Sequence, residues 1–251
     1  MRRHLVAAAL MILVSAPLQA ADVPAHIAAA VAAAERSEKD RERDVRDLPA
    51  GLMTFAGIAP DMKIADVFGG GGYWTELMAR AVGPQGHVRL VNNVPYFQLA
   101  GKEIKPRFDG NRLPNTELRL IETCAMKLGR ETFDMIVIFM SYHDLYYVDE
   151  KDGWPGIDAN GFLNQLHTAL KPGGHLLIVD HAAAAGSGNA PAQTLHRMDE
   201  AFAKQDIAGH GFELAKTWDG FRNPGDDLTK PVFDPAVRGK TDRFTHLYRK
   251  R

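Results

Sequence analysis

The sequence predicts an α/β protein whose mostly parallel sheet is doubly wound, with helices on both faces. Three observations carry the prediction. Short apolar runs alternate with segments of helical period; a glycine-rich turn sits between the first such run and the first such segment; and polar residues gather just beyond the ends of later runs. A strand followed by a helix and a parallel strand requires a right-handed crossover, and repeated crossovers cover the sheet on both sides. At 251 residues, 45% hydrophobic and 24% charged, the chain can bury one large core.

Taken in order, residues 1–20 read as a secretory signal. Arg2-Arg3 gives a positive start, Leu5 to Ala16 is almost wholly apolar, and Pro17-Leu18-Gln19-Ala20 ends in the small residue a signal peptidase needs. The apolar run falls short of the roughly 20 residues that span a bilayer. The mature chain is therefore expected in the periplasm without a stable membrane anchor. Residues 21–48 read as an N-terminal helical extension. Within it, alanines pass into Glu35-Arg36-Ser37-Glu38-Lys39-Asp40-Arg41-Glu42-Arg43-Asp44, where opposite charges alternate at helix-compatible spacing. That pattern predicts a solvated helix over Ala25 to Asp47, ahead of the main domain at 49–251; its other use would be a lid over the site.

Seven strands are expected in the main domain. Ile64 to Phe68, His87 to Val91, Leu118 to Ile121, Met135 to Met140 and Leu176 to Val179 are apolar runs of strand length. Trp74, Leu77, Met78, Ala81 and Val82 recur at the spacing of one helix face, and Phe162, Leu163, Leu166, Ala169 and Leu170 repeat it. Phe212 to Thr217 and Phe244 to Tyr248 are expected to close the sheet as an edge hairpin. Between them, Arg222 to Arg243 carries Pro224, Pro231 and Pro235 with several Asp and Gly, which predicts a long irregular loop.

Composition narrows the function. A formal net charge of -1 gives no global basic field for a polyanion, so the expected partner is a small molecule and not a nucleic acid. A single cysteine, Cys124, excludes a disulfide framework and a Cys-rich zinc site. The informative segment is Asp66-Val67-Phe68-Gly69-Gly70-Gly71-Gly72, which ends a strand and opens a helix near Tyr73. Glycines let backbone N–H groups come close to a ligand, and a helix N-terminus favours negative charge there. A dinucleotide fingerprint would need a glycine where Thr75 stands and an acid where Asn92 and Asn93 stand, so NAD is the less favoured ligand.

Three motifs in order carry a resemblance. Asp66 to Thr75, Phe133-Asp134-Met135-Ile136-Val137 and Leu170-Lys171-Pro172-Gly173-Gly174-His175-Leu176-Leu177 resemble the first, fourth and late motifs of class I S-adenosylmethionine-dependent methyltransferases. The likeness covers about Pro49 to Val179. With the signal in front, the triple glycine followed by an aromatic and threonine is also similar to a group of exported bacterial predicted methyltransferases. The resemblance implies a seven-stranded Rossmann-like sheet, S-adenosyl-L-methionine as cofactor, and a cofactor site at Asp66, Gly70, Gly72, Tyr73, Asn92, Asn93, Glu122 and Ser141. Two departures stand out: Phe68 replaces the family's frequent first glycine, and Asn92/Asn93 replace its ribose-binding acid. An amide can bond two hydroxyls but lacks the charge-assisted strength of a carboxylate.

Ligands of doubly wound sheets bind beyond the carboxyl ends of the strands. That rule selects Ser141-Tyr142-His143-Asp144 and Asp180-His181. With the family's strand order the two ends are neighbours, and His196 and Arg197 can join from the following helix. The expected catalytic group is His143, Asp144, His181 and His196, because histidine is the natural general base near neutral pH and a carboxylate orients it. A His/Asp metal site is chemically conceivable, but no close spacing such as His-x-x-x-His supports one, so none is expected. Two functions are carried forward: methyl transfer to an acceptor in the cell envelope, and a non-catalytic small-molecule or cofactor-binding protein that keeps the fold.

Overall fold

The computed structural model describes residues 23–251, so the predicted secretory signal at 1–20 lies outside the described residues. Seven strands form one sheet: β1 (Lys63–Val67), β2 (His87–Asn92), β3 (Thr116–Leu120), β4 (Phe133–Phe139), β5 (Leu170–His181), β6 (Phe212–Thr217) and β7 (Arg243–Lys250). Their order is β3-β2-β1-β4-β5-β7-β6. The first five are mutually parallel, whereas β7 runs antiparallel to both β5 and β6. The terminal hairpin is present, with β7 inserted between β5 and the edge strand β6. β5 begins earlier than its apolar run because Lys171 to Gly174 are drawn into it across a register shift beside β4.

The central strands are largely apolar because both faces are covered. Along β4, Ile136 and Ile138 enter one core while Met135 and Val137 enter the other, the alternation that a pleated strand requires, and the register shift between Phe133 and Met135 puts Phe133 in the first core as well. Among the described residues, eight α-helices supply the two layers: α1 (Ala25–Ala32), α2 (Glu38–Asp47), α3 (Pro49–Ala56), α4 (Tyr73–Val82), α5 (Val94–Phe108), α6 (Ala159–Ala169), α7 (Pro191–Leu195) and α8 (Glu200–Gly209). Phe162, Leu163 and Leu166 of α6 fill the first core; Leu77 and Met78 of α4 fill the second, together with Ile27 of α1 and Leu52 of α3.

The extension differs from the single solvated helix expected. It is two helices, because Ser37 caps a new start by accepting from the Asp40 N–H at 3.1 Å. Several of its charges are also inward. Arg36, Asp40 and Asp47 are buried, with Arg36 Nη1 2.6 Å from Asp44 Oδ2 and Arg107 Nη1 of α5 2.7 Å from Asp40 Oδ2. Charge alternation looks the same whether the partners lie on the helix itself or across a tertiary contact. Residues 222–242 contain no helix or strand, as the prolines predicted. No described helix is long and apolar enough to cross a membrane.

Candidate active site

Asp66 ends the buried part of β1 with Val67, and Phe68 then turns the chain at φ 57°. Asp66 Oδ2 accepts from the Thr75 hydroxyl at 2.5 Å, while its buried Oδ1 has no partner. Burial pushes the Asp66 carboxyl up to about 7, against the opposing pull of Thr75. Phe68 directs its ring into the core, stacking on Tyr96 with centroids 4.8 Å apart and planes 3° apart.

Gly70 and Gly72 both take positive φ, 57° and 81°, which only glycine adopts without strain. Their surroundings differ. A Cβ at Gly70 would meet nothing within 4 Å, whereas one at Gly72 would lie 2.9 Å from the Phe108 ring of α5. Arg107 Nε donates to the Gly71 carbonyl at 2.7 Å, so α5 roofs the end of the turn and leaves Gly70 open.

The amides beyond β2 are already engaged. Asn92 Oδ1 accepts from the Gly70 N–H at 3.1 Å and its Nδ2 donates to the Gly70 carbonyl at 2.9 Å. Asn93 caps α5, accepting from the Tyr96 N–H at 3.1 Å. Tyr73 donates to Asp44 at 2.6 Å beneath the Arg43 guanidinium, 4.0 Å from its ring centre. Glu122 is exposed and borders a different cleft with Arg89 and Arg119. Ser141 is buried, its hydroxyl donating to the Phe139 carbonyl at 3.3 Å.

The cofactor implied by the resemblance therefore fits this turn at its methionyl end, where Gly70 is open and Asp66 Oδ1 lacks a donor. Of the two amides expected at the ribose, Asn92 spends both its polar atoms on the Gly70 backbone, whereas Asn93 spends only its Oδ1, on the Tyr96 N–H.

At the ends of β4 and β5 the structure brings together His143, Asp144, His181 and His196. Asp180, fully buried, organises them: Oδ2 accepts from the His143 N–H at 2.7 Å, and Oδ1 lies 2.8 Å from His143 Nδ1 and accepts from the His181 N–H at 2.8 Å. His143 Nε2 is 3.3 Å from Asp144 Oδ1, and His196 Nδ1 is 3.7 Å from the same oxygen. Tyr96 donates to the other Asp144 oxygen. His196 sits at φ 52°, just after α7. His181 Nδ1 pairs with the Thr241 hydroxyl at 2.7 Å.

The same neighbours separate the histidines electrically. Burial pulls His143 down, but Asp144 and Asp180 together outweigh it and hold the imidazole at about 9. His181 is driven well below its ordinary value by burial and by the positive groups around it. Burial pushes Asp144 up, but the His143 cation and the hydrogen bonds it receives bring it below the usual carboxylate range. Arg197 does not join the group: it is fully buried and pairs with Asp226 at 2.8 Å, anchoring the long loop.

These residues floor a cavity of about 410 Å³ walled by Tyr96, Tyr147, Trp154 and Phe233. Tyr147, Trp154 and Phe233 carried no signal in the sequence, because they come from segments without helical or strand periodicity, whereas Tyr96 stands on α5. A larger cleft of about 710 Å³ lies between α2 and α5, but Asp40, Glu76 and Arg107 within it already satisfy one another.

No protein-family model matches the sequence, and no curated protein matches it. Solved structures do resemble the fold. A SAM-dependent methyltransferase from Aquifex aeolicus superposes with a TM-score of 0.57 at 16% identity, over 84% of this chain and 96% of that one. An arsenic(III) S-adenosylmethionine methyltransferase from Chlamydomonas reinhardtii gives 0.57 at 15% identity, over 90% and 73% of the two chains. The cyclase SpnF gives 0.55 at 14% identity, over 84% and 80%. Likeness at such identities shows the fold, a Rossmann-like methyltransferase sheet, and leaves the reaction to the site.

Proposed function

We propose that this chain transfers the methyl group of S-adenosylmethionine to a small acceptor seated in the histidine-floored cavity. One observation carries the reading: Tyr96 stacks on Phe68 of the glycine turn and donates to Asp144 of the histidine cluster, so cofactor turn and cavity share a wall. The fold and the open backbone at Gly70 support the cofactor assignment; the charged start, apolar run and Ala20 support a location in the cell envelope.

The cofactor would supply an electrophilic methyl on a sulfonium. The protein's part is to hold the methionyl end at Gly70 and Asp66, to orient the acceptor, and to keep water out with Tyr147, Trp154 and Phe233. His181 takes the acceptor's proton: its Nδ1 pairs with the Thr241 hydroxyl, the tautomer that donates Nδ1–H to that oxygen frees the Nε2 lone pair, and the environment keeps the ring neutral. His143, held as a cation between two carboxylates, positions Asp144 rather than serving as a base near neutral pH.

Calorimetry with S-adenosylhomocysteine tests the cofactor. Wild type should bind, and Gly70→Val should not, since the branched side chain would fill the open space of the turn. Valine strains the backbone at either positive-φ position, so folding is checked for both; Gly72→Val is the poorer probe, because its side chain would also strike Phe108. Absence of binding by wild type, or equal binding by folded Gly70→Val, would reject the site. The second reading, a non-catalytic binding protein, is favoured by the engagement of both Asn92 amide atoms with Gly70. Mass spectrometry of a co-purifying small molecule that is never methylated would support it instead.

A further inference from the structure

We propose that His143 Nε2, Asp144 Oδ1 and His196 Nδ1 form a site for one divalent transition-metal ion, with a coordination position left open toward the cavity. The three donor atoms lie within 4.8 Å of one another. Two of their separations, 3.3 and 3.7 Å, approach the roughly 3.3 Å between donors that each stand about 2.0–2.1 Å from a tetrahedral ion. Two imidazoles and one carboxylate form a set suited to zinc, iron, cobalt or nickel rather than to magnesium or calcium, which take all-oxygen ligands.

Independent contacts aim the ligands. Asp180 Oδ1 sits 2.8 Å from His143 Nδ1 and orients the ring as a carboxylate orients a ligating histidine, so that Nε2 faces the other donors and an incoming ion displaces the proton His143 otherwise carries there. Tyr96 holds the second Asp144 oxygen, so the first points to the cluster. His196 adopts φ 52°, a conformation costly for a non-glycine residue. It is kept there between Tyr147 and Phe233, with ring centres 4.5 and 4.9 Å away. Local strain that serves to aim a side chain at a cluster is the kind found at functional sites. Three protein ligands, with a cavity of about 410 Å³ on the remaining side, leave room for water or a bound acceptor, the layout of a reactive rather than a structural ion.

This inference is independent of methyl transfer, since ion binding is read without cofactor or acceptor and either can fail alone. The test uses the chelator-treated, tag-free full chain at pH 7, titrated with Zn²⁺ by calorimetry and with Co²⁺ by visible absorption. One equivalent should bind, and Co²⁺ should give the intense bands of a low-symmetry, four- or five-coordinate site. His196→Asn, which tolerates the positive φ, should weaken Zn²⁺ by more than about 100-fold and remove the bands. Asp180→Asn should weaken it by about 10–100-fold, as for other residues that orient a ligating histidine. His87→Ala, on β2 beside Glu117, should change nothing. If His196→Asn fails to fold, His143→Gln carries the same expectation. No uptake by wild type, or unchanged stoichiometry and affinity in the ligand variants, would overturn the proposal and leave the cluster as a hydrogen-bonded relay.

Discussion

Asp66→Asn should change how the stability of the protein depends on pH. The carboxyl is fully buried, takes one hydrogen bond from Thr75 and leaves Oδ1 unpartnered, and it titrates at about 7 in the folded chain. Unfolded, it titrates near its ordinary 3.8. Because the folded value is the higher one, the neutral acid is favoured by folding. Its stabilising contribution is complete below about pH 4, is lost between about pH 4 and pH 7, and is flat above. Linkage at 1.36 kcal/mol per unit makes the whole loss about 4 kcal/mol, of which about 2.5 kcal/mol falls between pH 5 and pH 8. Asparagine can accept the Thr75 bond and never ionises, so the variant should lack this component. Urea unfolding of both proteins at pH 5, 6, 7 and 8 measures it as the change in their stability difference, with the variant gaining about 2.5 kcal/mol on wild type across the series. A constant difference would show that Asp66 stays ionised in the fold and that its environment has been misjudged.

Two further outcomes follow from the same structure. Arg197→Met should destabilise by about 3–5 kcal/mol in chemical unfolding, because it leaves Asp226 buried without its cation, and Arg197→Met with Asp226→Asn should recover much of that. Both side chains are fully buried, so added salt should not abolish the effect. His181→Ala should lower single-turnover methyl transfer by about 10²–10⁴-fold with S-adenosylhomocysteine affinity and melting temperature nearly unchanged. A drop in melting temperature with full activity per folded molecule would assign His181 to the fold.

Much of the architecture was legible before any coordinate. Strand and helix periods place β1, β2, β4 and α4 within one or two residues, because strands covered on both faces must be continuously apolar and a one-sided helix must repeat every three to four residues. The same local reading missed the break at Ser37 and the burial of Asp40 and Asp47. A charged residue's partner across space leaves no trace in its own segment. At the site, the glycine turn and the polar ends of β4 and β5 were legible from strand position alone, whereas the engagement of Asn92 with Gly70 was not.

The sequence by itself determined the sheet, its helical layers, the turn after β1 and the edge at which chemistry can occur, all of which depend on residue type and near-neighbour spacing. Only the tertiary structure decided which groups meet there. His143 and His196 stand 53 positions apart and share Asp144 only because α7 returns over the end of β4; Arg197, one residue on from His196, turns away to hold Asp226. Adjacent residues diverge and distant ones converge according to which donors and charges remain to be satisfied once the chain has packed, and that is a property of the folded whole.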